Sequence, residues 1–222
     1  MCGRFALTAK TGDIENLMPE VKVTIDLKPR YNVAPSQNIA AVLNSKPHEI
    51  SLVKWGLIPS WAKDSSIGNK MINARAEGIN EKPSFKYPFR KKRCLIFADS
   101  FYEWKPIPGD KRKQPYLIKM KSGKPFMFAG LWDSWNDNEN GLINSSTIIT
   151  TEPNELMSAI HNRMPVILSK EYYKLWLSNE ASTETLLNLL KPYESEEMEA
   201  YPISLKINNP AYDDEDCQQL IG

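Results

Sequence analysis

Short apolar or alternating runs, bounded by proline, glycine or asparagine, dominate the first two-thirds of the chain. Runs of this length with a period of two are typical of β-strands. The predicted strands are Gly3–Thr8, Ile39–Leu43, Ile50–Trp55, Cys94–Trp104, Pro115–Met120, Phe126–Leu131, Ser146–Thr151 and, near the end, Met198–Ser204.

Helical patterns are fewer and concentrate in the last third. The predicted helices are Asp13–Met18, Asn154–Ile160, Lys170–Leu177 and Thr183–Leu190, the last two with Ser169 and Ser182 as candidate N-caps. Strands without regularly alternating helices favour an α+β fold. We therefore expect a single domain over residues 1–222, mainly an antiparallel, barrel-like β-sheet with flanking helices.

Composition points to an ordinary globular protein of the reducing cytoplasm. The 222 residues are 41% hydrophobic and 25% charged, with a net charge of +1. No apolar run approaches the roughly 18 residues of a membrane span, and no signal-peptide core follows Arg4. The three cysteines are widely spaced and the chain has only two histidines, so we expect neither a disulfide framework nor a metal site.

Charge is strongly segregated along the chain. The segment from Lys82 to Arg93 holds six cations and no acid, with Phe85, Tyr87 and Phe89 interleaved. This pattern suits single-stranded nucleic acid, but it equally fits a solvated loop whose aromatic residues anchor it to the core. Acidic residues gather instead towards the C-terminus, where we expect residues 206–222 to form a mobile tail.

Cys2 carries the most distinctive chemistry. If Met1 is removed, Cys2 presents an α-amine and a thiol two carbons apart, with pKa values of about 8 and about 8.5. An aldehyde can form a Schiff base with the amine, and the thiolate can then close a thiazolidine ring. The same residue could attack an acyl carbon, as N-terminal nucleophiles do. A lone cysteine is, however, more often a small, inert core residue.

Two polar segments could assist such a nucleophile. Asn73 and Arg75 follow a long irregular loop, Gly56 to Asn73, that contains Trp61. An asparagine can orient an amine, and an arginine can take a phosphate bidentately, although both residue types also serve as turn and capping groups. We leave open whether Trp61 packs in the core or wedges against unstacked bases.

Two further residues are candidates for proton transfer. Strand alternation places Glu103 on the same face as Phe101, and desolvation among aromatic residues would raise its pKa; the alternative is an exposed strand glutamate. His161 ends a predicted helix before Pro165 and could shuttle protons near neutral pH, or could simply stabilise the helix end.

Six motifs in order strongly resemble the SOS-response-associated peptidase (SRAP) family of abasic-site processing proteins. They are MCGRF at Met1–Phe5, RYNVAP at Arg30–Pro35, WGLIPSW at Trp55–Trp61, INARAE at Ile72–Glu77, FYEW at Phe101–Trp104 and HNRMPVIL at His161–Leu168. The resemblance runs from Met1 to about Ser204, nearly the whole chain.

The resemblance implies a protein that crosslinks itself to abasic sites in single-stranded DNA through a Cys2 thiazolidine, after autocatalytic removal of Met1. Asn73 would orient the amine, Glu103 would be the acid/base, and His161 would assist Schiff-base chemistry and any lyase activity. Arg75 would bind phosphate, with Arg4, Pro35, Trp61 and Lys82 as further DNA contacts. No cofactor or membrane is implied, and we expect a cytoplasmic monomer that joins the nucleoid at damaged DNA.

Two other functions stay open on the sequence. Glutamine amidotransferase domains also begin Met-Cys-Gly, so Cys2 could be the nucleophile of an N-terminal-nucleophile amidohydrolase, although the other glutamine-binding motifs are missing. Alternatively, the protein could be a non-covalent single-strand-binding module that uses the segment from Lys82 to Arg93 and the tryptophans, with Cys2 idle.

Overall fold

Short strands and short helices make up the computed structural model, which describes residues 2–137, 139 and 141–221. The strands are β1 Phe5–Leu7, β2 Arg30–Val33, β3 Asn38–Leu43, β4 Lys46–Trp55, β5 Asn73–Arg75, β6 Arg93–Ala98, β7 Ser100–Pro106, β8 Lys113–Met120, β9 Phe126–Asp137, β10 Gly141–Thr151, β11 Met164–Pro165, β12 Ile167–Leu168 and β13 Met198–Pro202. The α-helices are α1 Thr11–Leu17, α2 Pro83–Lys91, α3 Glu155–Ser158, α4 Tyr173–Leu177 and α5 Thr183–Asn188. Turns of 3₁₀-helix lie at Ser65–Lys70, Lys170–Tyr172, Ser195–Glu197, Leu205–Asn208 and Glu215–Gln218. The expected removal of Met1 concerns a residue outside the described ranges.

Five strands close into a barrel. The order β4, β3, β6, β9, β10 is antiparallel at every step, and a parallel pairing of β10 with β4 closes the ring. Alternate side chains of these strands point to opposite faces. One set, which includes Val42, Phe97 and Leu131, packs against α1, α2, α4 and α5. The α+β class and the mainly antiparallel, barrel-like sheet with flanking helices are therefore confirmed.

A second, antiparallel sheet packs on the barrel and carries the N-terminus. Its strand order is β13, β8, β7, β1, β2, so that β1 pairs with a neighbour on each side. Phe5 of β1 lies 5.1 Å from Trp55 and 5.8 Å from Phe128 of the barrel, measured between ring centroids. This packing places the start of the chain in the buried seam between the two sheets.

The predicted strand Cys94–Trp104 is wrong as a single element, because it divides at Asp99 into β6 of the barrel and β7 of the second sheet. The Asp99 carboxylate accepts hydrogen bonds from the Thr8 backbone N–H, the Thr8 hydroxyl and the Ala9 backbone N–H. A short acidic side chain bonded in this way competes with the strand ladder. The break allows one continuous sequence to serve both sheets.

The basic, aromatic segment is a helix, α2, rather than a loop. Pro83 occupies its first turn, where a missing N–H costs nothing. Pro88 lies inside the helix. Because proline normally breaks a helix, the sequence did not predict one here. Phe85 and Phe89 are buried against the barrel, whereas Tyr87 is exposed together with the helix cations Lys86, Arg90 and Lys91. In the described part of the chain, no helix is long and apolar enough to cross a membrane.

The acidic C-terminal segment does not match the expected mobile tail. Of residues 206–222, those up to 221 are described, and they fold back onto the second sheet. The Asp213 carboxylate accepts hydrogen bonds from the backbone N–H groups of Tyr31 (2.6 Å) and Asn32 (2.8 Å), and Cys217 is fully buried. The Asp213 carboxylate thus satisfies two backbone N–H groups of β2, a contact that the charge pattern of the sequence does not reveal.

The irregular loop between β4 and β5 is fixed by a close backbone contact. Gly56 has a φ of 128°, and a Cβ there would lie 2.6 Å from the carbonyl oxygen of Gly68. A Cβ on Gly68 would in turn lie 2.7 Å from the carbonyl oxygen of Gly56. Since neither backbone can yield locally, both positions require glycine.

We expect Gly68→Ala to destabilise the protein by about 1–3 kcal/mol, because the added methyl group must displace the facing backbone at Gly56. The measurement is the free energy of unfolding from urea denaturation. Gly12→Ala is the control, since a Cβ at Gly12 meets nothing within 4 Å and alanine favours a helix. Equal stability of the two variants would show that the loop accommodates the methyl group.

Candidate active site in the seam between the sheets

Cys2 lies immediately before β1 and is completely buried. The antiparallel pairing of β1 with β7 matches Phe5 with Phe101, and the Tyr102 N–H donates to the Arg4 carbonyl oxygen at 3.0 Å. Continued two residues further towards the N-terminus, this register brings Cys2 to the middle of β7, where Glu103 lies near enough for its charge to act on the Cys2 thiol. The strand pairing therefore sets the position of the cysteine.

Asn73 holds the backbone of Cys2 from the opposite side. Its side-chain Nδ2 donates to the Cys2 carbonyl oxygen at 2.7 Å. Asn73 starts β5, which pairs in parallel with β10 at Ile148. Within the described residues, the buried Oδ1 of Asn73 has no hydrogen-bond partner. The same amide that holds Cys2 thus keeps a buried acceptor that no other described residue uses.

Glu103 is a buried carboxyl group, with 3% of its side chain exposed. The prediction from strand alternation is therefore correct, and the alternative of an exposed glutamate is wrong. Burial raises the pKa of Glu103, because a low-dielectric site disfavours the charged form. Burial, followed by the charge of Glu103, likewise raises the pKa of the Cys2 thiol.

His161 faces Glu103 across the seam. Its Nε2 lies 3.8 Å from Oε2 of Glu103, and 25% of its side chain is exposed. The Arg163 backbone N–H donates to Nδ1 at 3.1 Å, so in the neutral imidazole Nε2 carries the proton. Burial lowers the pKa of His161. The imidazole is therefore kept neutral beside a carboxyl group whose pKa is raised.

Arg4 is engaged within the protein. Its Nη1 donates to Asn32 Oδ1 at 2.6 Å and to the Ile207 carbonyl oxygen at 3.0 Å, and its guanidinium lies 6.0 Å from the Trp104 ring centroid. These contacts link Arg4 to β2 and to the C-terminal segment. They anchor the N-terminal strand on the face of the sheet opposite Glu103.

The remaining predicted DNA contacts lie at the surface. Arg75 is exposed, two residues beyond Asn73 on β5, and Lys82 is exposed at the start of α2. Pro35 is half-buried in a turn in which Ser36 has a φ of 72°, a conformation that favours glycine. The structure does not bring these residues into contact with Cys2.

Trp61 is exposed, with 59% of its surface accessible, but its loop is held firmly. The Ser60 N–H donates to Oδ2 of Asp133 at 2.8 Å, and Trp135 Nε1 donates to the Ala62 carbonyl oxygen at 2.7 Å. Both anchors lie on β9 of the barrel. An exposed ring on an anchored loop is suited to stacking against a ligand.

Sequence reasoning missed two groups that shape this region. Asp133 is buried and pairs with Lys92 at 2.6 Å, so one carboxylate ties the Trp61 loop to the end of α2. Arg163 joins Glu77 in a bidentate ion pair. Asp133 could have been found from the sequence, because a charged residue within an otherwise apolar strand indicates a buried ion pair or hydrogen-bonding group.

No cluster that could hold a metal is found among the described residues, where no group of three or more histidine, cysteine, aspartate or glutamate side chains is so arranged. The groups that do converge on the seam are a thiol, an amide, a carboxyl group and an imidazole. Together they can transfer protons to and from a substrate bound at Cys2.

Comparison with known proteins identifies related chains. The family model described as SOS response associated peptidase (SRAP) matches residues 1–210. The abasic site processing protein YoqW of Bacillus subtilis is 49% identical over 95% of this chain and 95% of its own length. The abasic site processing protein HMCES of Pongo abelii is 32% identical over 90% of this chain and 67% of its own length. A crystal structure of a protein from Bacteroides thetaiotaomicron, 30% identical, covers 99% of this chain and all of its own with a TM-score of 0.89.

We expect Glu103→Gln to be more stable than the parent protein at neutral pH. The pKa of Glu103 is raised on folding, so the folded state binds its proton more tightly than the unfolded state. Stability therefore falls as pH rises from the unfolded pKa of about 4.3 through the folded pKa, by about 1.4 kcal/mol for each unit of difference. Glutamine does not ionise, so the variant does not lose this stability as pH rises.

Urea denaturation across this pH range measures the difference between the two proteins. It should vanish in acid and reach a plateau above the folded pKa. Glu184→Gln, at an exposed position on α5, is the control and should stay within about 0.5 kcal/mol of the parent. A Glu103→Gln variant that is less stable than the parent at neutral pH would contradict the assignment.

Proposed function

The chain belongs to the SOS response associated peptidase family, and on that basis we propose that it processes abasic sites in single-stranded DNA by a covalent crosslink through Cys2. Relatives named abasic site processing proteins support the substrate class. The single observation that carries the crosslink is the buried Cys2 itself, held by Asn73 at 2.7 Å beside the pair of Glu103 and His161.

The reaction requires a free Cys2 amine, so Met1 must first be removed, and we assign this autocatalytic cleavage to the same site. Asn73 then accepts a hydrogen bond from the new α-amine through its Oδ1, the buried acceptor that has no partner within the described residues. The Nδ2 bond to the Cys2 carbonyl oxygen already fixes the amide in the orientation this needs.

The amine acts before the thiol. Burial raises the pKa of the Cys2 thiol, which keeps sulfur protonated at neutral pH. The α-amine adds to the aldehyde of the ring-opened deoxyribose and water leaves, which gives an imine. Sulfur then adds to the carbon of the protonated imine and the C=N electron pair moves to nitrogen, which closes the thiazolidine, while the thiol proton passes to the Glu103 carboxylate that gave its own proton in the ring-opening step. The cationic, protonated imine favours loss of the thiol proton at this second stage.

Glu103 and His161 move the protons. Because its pKa is raised, Glu103 can donate a proton to the sugar ring oxygen as the ring opens and take it back later. His161, kept neutral, can accept a proton from the sugar, which is the step that imine-dependent strand cleavage would need. Crosslinking, its reversal and a lyase activity thus use the same two groups.

The flanking strand is bound by the surface between Trp61, Arg75 and α2. Lys82, Lys86 and Arg90 recur every four residues, so they form one stripe along α2 with a spacing of about 6 Å. Such a stripe follows the phosphates of an extended strand, while Trp61 stacks on a base. We propose that the protein acts on DNA as a monomer.

The main test is incubation of the protein with single-stranded DNA that contains one abasic site, followed by denaturing electrophoresis. We expect a heat-stable adduct with the parent protein and its loss in Cys2→Ala, because that variant keeps an α-amine but lacks the thiol that closes the ring. Cys217→Ala, which removes another buried thiol, is the matched control and should retain the adduct.

An adduct that survives Cys2→Ala would rule out the thiazolidine. Glutaminase activity without an adduct would identify an N-terminal-nucleophile amidohydrolase instead. Salt-sensitive DNA binding without either activity would identify a non-covalent single-strand-binding module.

We expect the double variant Lys82→Gln/Lys86→Gln to weaken single-strand binding through lost phosphate contacts. The slope of log affinity against log salt should fall in magnitude by roughly 1.4, that is, about 0.7 per contact. Fluorescence anisotropy at several salt concentrations gives this slope. Lys191→Gln, at an exposed position after α5, is the control. An unchanged slope in the double variant would remove α2 from the binding surface.

A further inference from the structure

Glu77 and Arg163 form a bidentate ion pair beside the seam. Arg163 Nη1 and Nη2 lie 2.6 Å and 2.9 Å from the two carboxylate oxygens of Glu77. Nη2 also donates to the Thr150 carbonyl oxygen at 2.6 Å. Only 13% of the Arg163 side chain is exposed, against 59% for Glu77. One guanidinium thus joins the segment after β5, the barrel strand β10 and the loop after α3.

The pair stands between two of the proposed catalytic groups. Glu77 follows Asn73 by four residues, and the Ala76 N–H between them donates to the same Thr150 carbonyl oxygen at 2.8 Å. On the other side, Arg163 follows His161 by two residues, and its backbone N–H donates to Nδ1 of that imidazole at 3.1 Å. The relative position of Asn73 and His161 therefore depends on this pair.

We propose that Glu77 and Arg163 are positioning residues that hold His161, in its Nε2–H tautomer, at a fixed distance from the Cys2–Asn73 contact. The proposal rests on the proposed crosslinking function. Neither residue touches the reacting atoms, and each acts through its neighbours: Glu77 orients the guanidinium, and the backbone of Arg163 orients the imidazole.

Energetics favour an effect on rate over an effect on stability. A partly exposed ion pair contributes about 0–1 kcal/mol to folding, so its loss leaves the fold intact. The Arg163 hydrogen bonds lower the pKa of Glu77, which keeps the carboxylate charged at neutral pH. Misplacement of a proton-transfer group by about 1 Å, however, can slow a reaction on the order of 100-fold. Glu77 is the better position to change, because removal of its carboxylate leaves the barrel contact of Arg163 in place.

The test compares Glu77→Ala, Glu77→Gln and the control Glu81→Ala, which removes a neighbouring exposed carboxylate of the same loop. We expect the first-order rate of adduct formation at saturating DNA to fall about 10- to 100-fold in Glu77→Ala, while DNA affinity matches that of Glu81→Ala. Glu77→Gln should be intermediate, since its amide oxygen can accept one of the two bonds.

A second readout separates this proposal from the crosslinking function itself. The ¹⁵N chemical shifts of His161, recorded well above the ordinary histidine pKa of about 6.5, should report the Nε2–H tautomer in the parent and a mixture in Glu77→Ala. A parent protein that forms no adduct would defeat the proposed function, whereas the tautomer measurement would still decide the positioning role.

Three results would overturn the proposal. An unchanged rate and tautomer in Glu77→Ala would show that the pair positions nothing. A selective loss of DNA affinity at an unchanged rate would assign Arg163 to phosphate binding. Equal slowing in Glu81→Ala would reduce the effect to one of net charge.

Discussion

Backbone pairing between β1 and β7 is the constraint on which the candidate site depends. It fixes the register of Phe5 against Phe101, and through it the approach of Cys2 to Glu103. The same N-terminal segment is also anchored by Arg4, which donates hydrogen bonds to Asn32 and to the C-terminal segment. An N-terminal residue is ordinarily the freest part of a chain. Here the fold makes Cys2 one of the most buried residues, because it shares a core cluster with Trp55 of the barrel and Phe101 of the second sheet.

Burial also sets the electrostatics of the seam. It raises the pKa of the Cys2 thiol and of Glu103, and it lowers the pKa of His161, so each of the three groups is shifted towards its neutral form. A site of this kind does not present a standing thiolate to solvent. In the proposed mechanism the thiol becomes nucleophilic only after the Cys2 amine and the substrate aldehyde have formed a protonated imine. This restraint suits the covalent reaction with an abasic site that we propose.

The sequence predicted the barrel and the buried face of Glu103, because strand alternation is a local property. It failed where local signals conflicted or where distant segments meet. Asp99 divides one apolar run between two sheets, and Pro88 conceals α2. The contacts of Asp133 and of the C-terminal segment join positions far apart in the chain, so they cannot be predicted from the local periodicity of the sequence. The four proposed catalytic residues were named from their chemistry and from motif resemblance, whereas their distances came only from the structure.

The most direct test of the account is peptide mapping of the adduct by mass spectrometry after limited nuclease digestion. A Cys2 thiazolidine predicts that the deoxyribose remnant is attached to an N-terminal peptide that begins at Cys2 and lacks Met1. In that peptide both the amine and the thiol should resist alkylation, and borohydride should not change the mass. Attachment to a lysine side chain, or a Cys2 thiol that still reacts with an alkylating reagent, would contradict a thiazolidine formed by amine and thiol together.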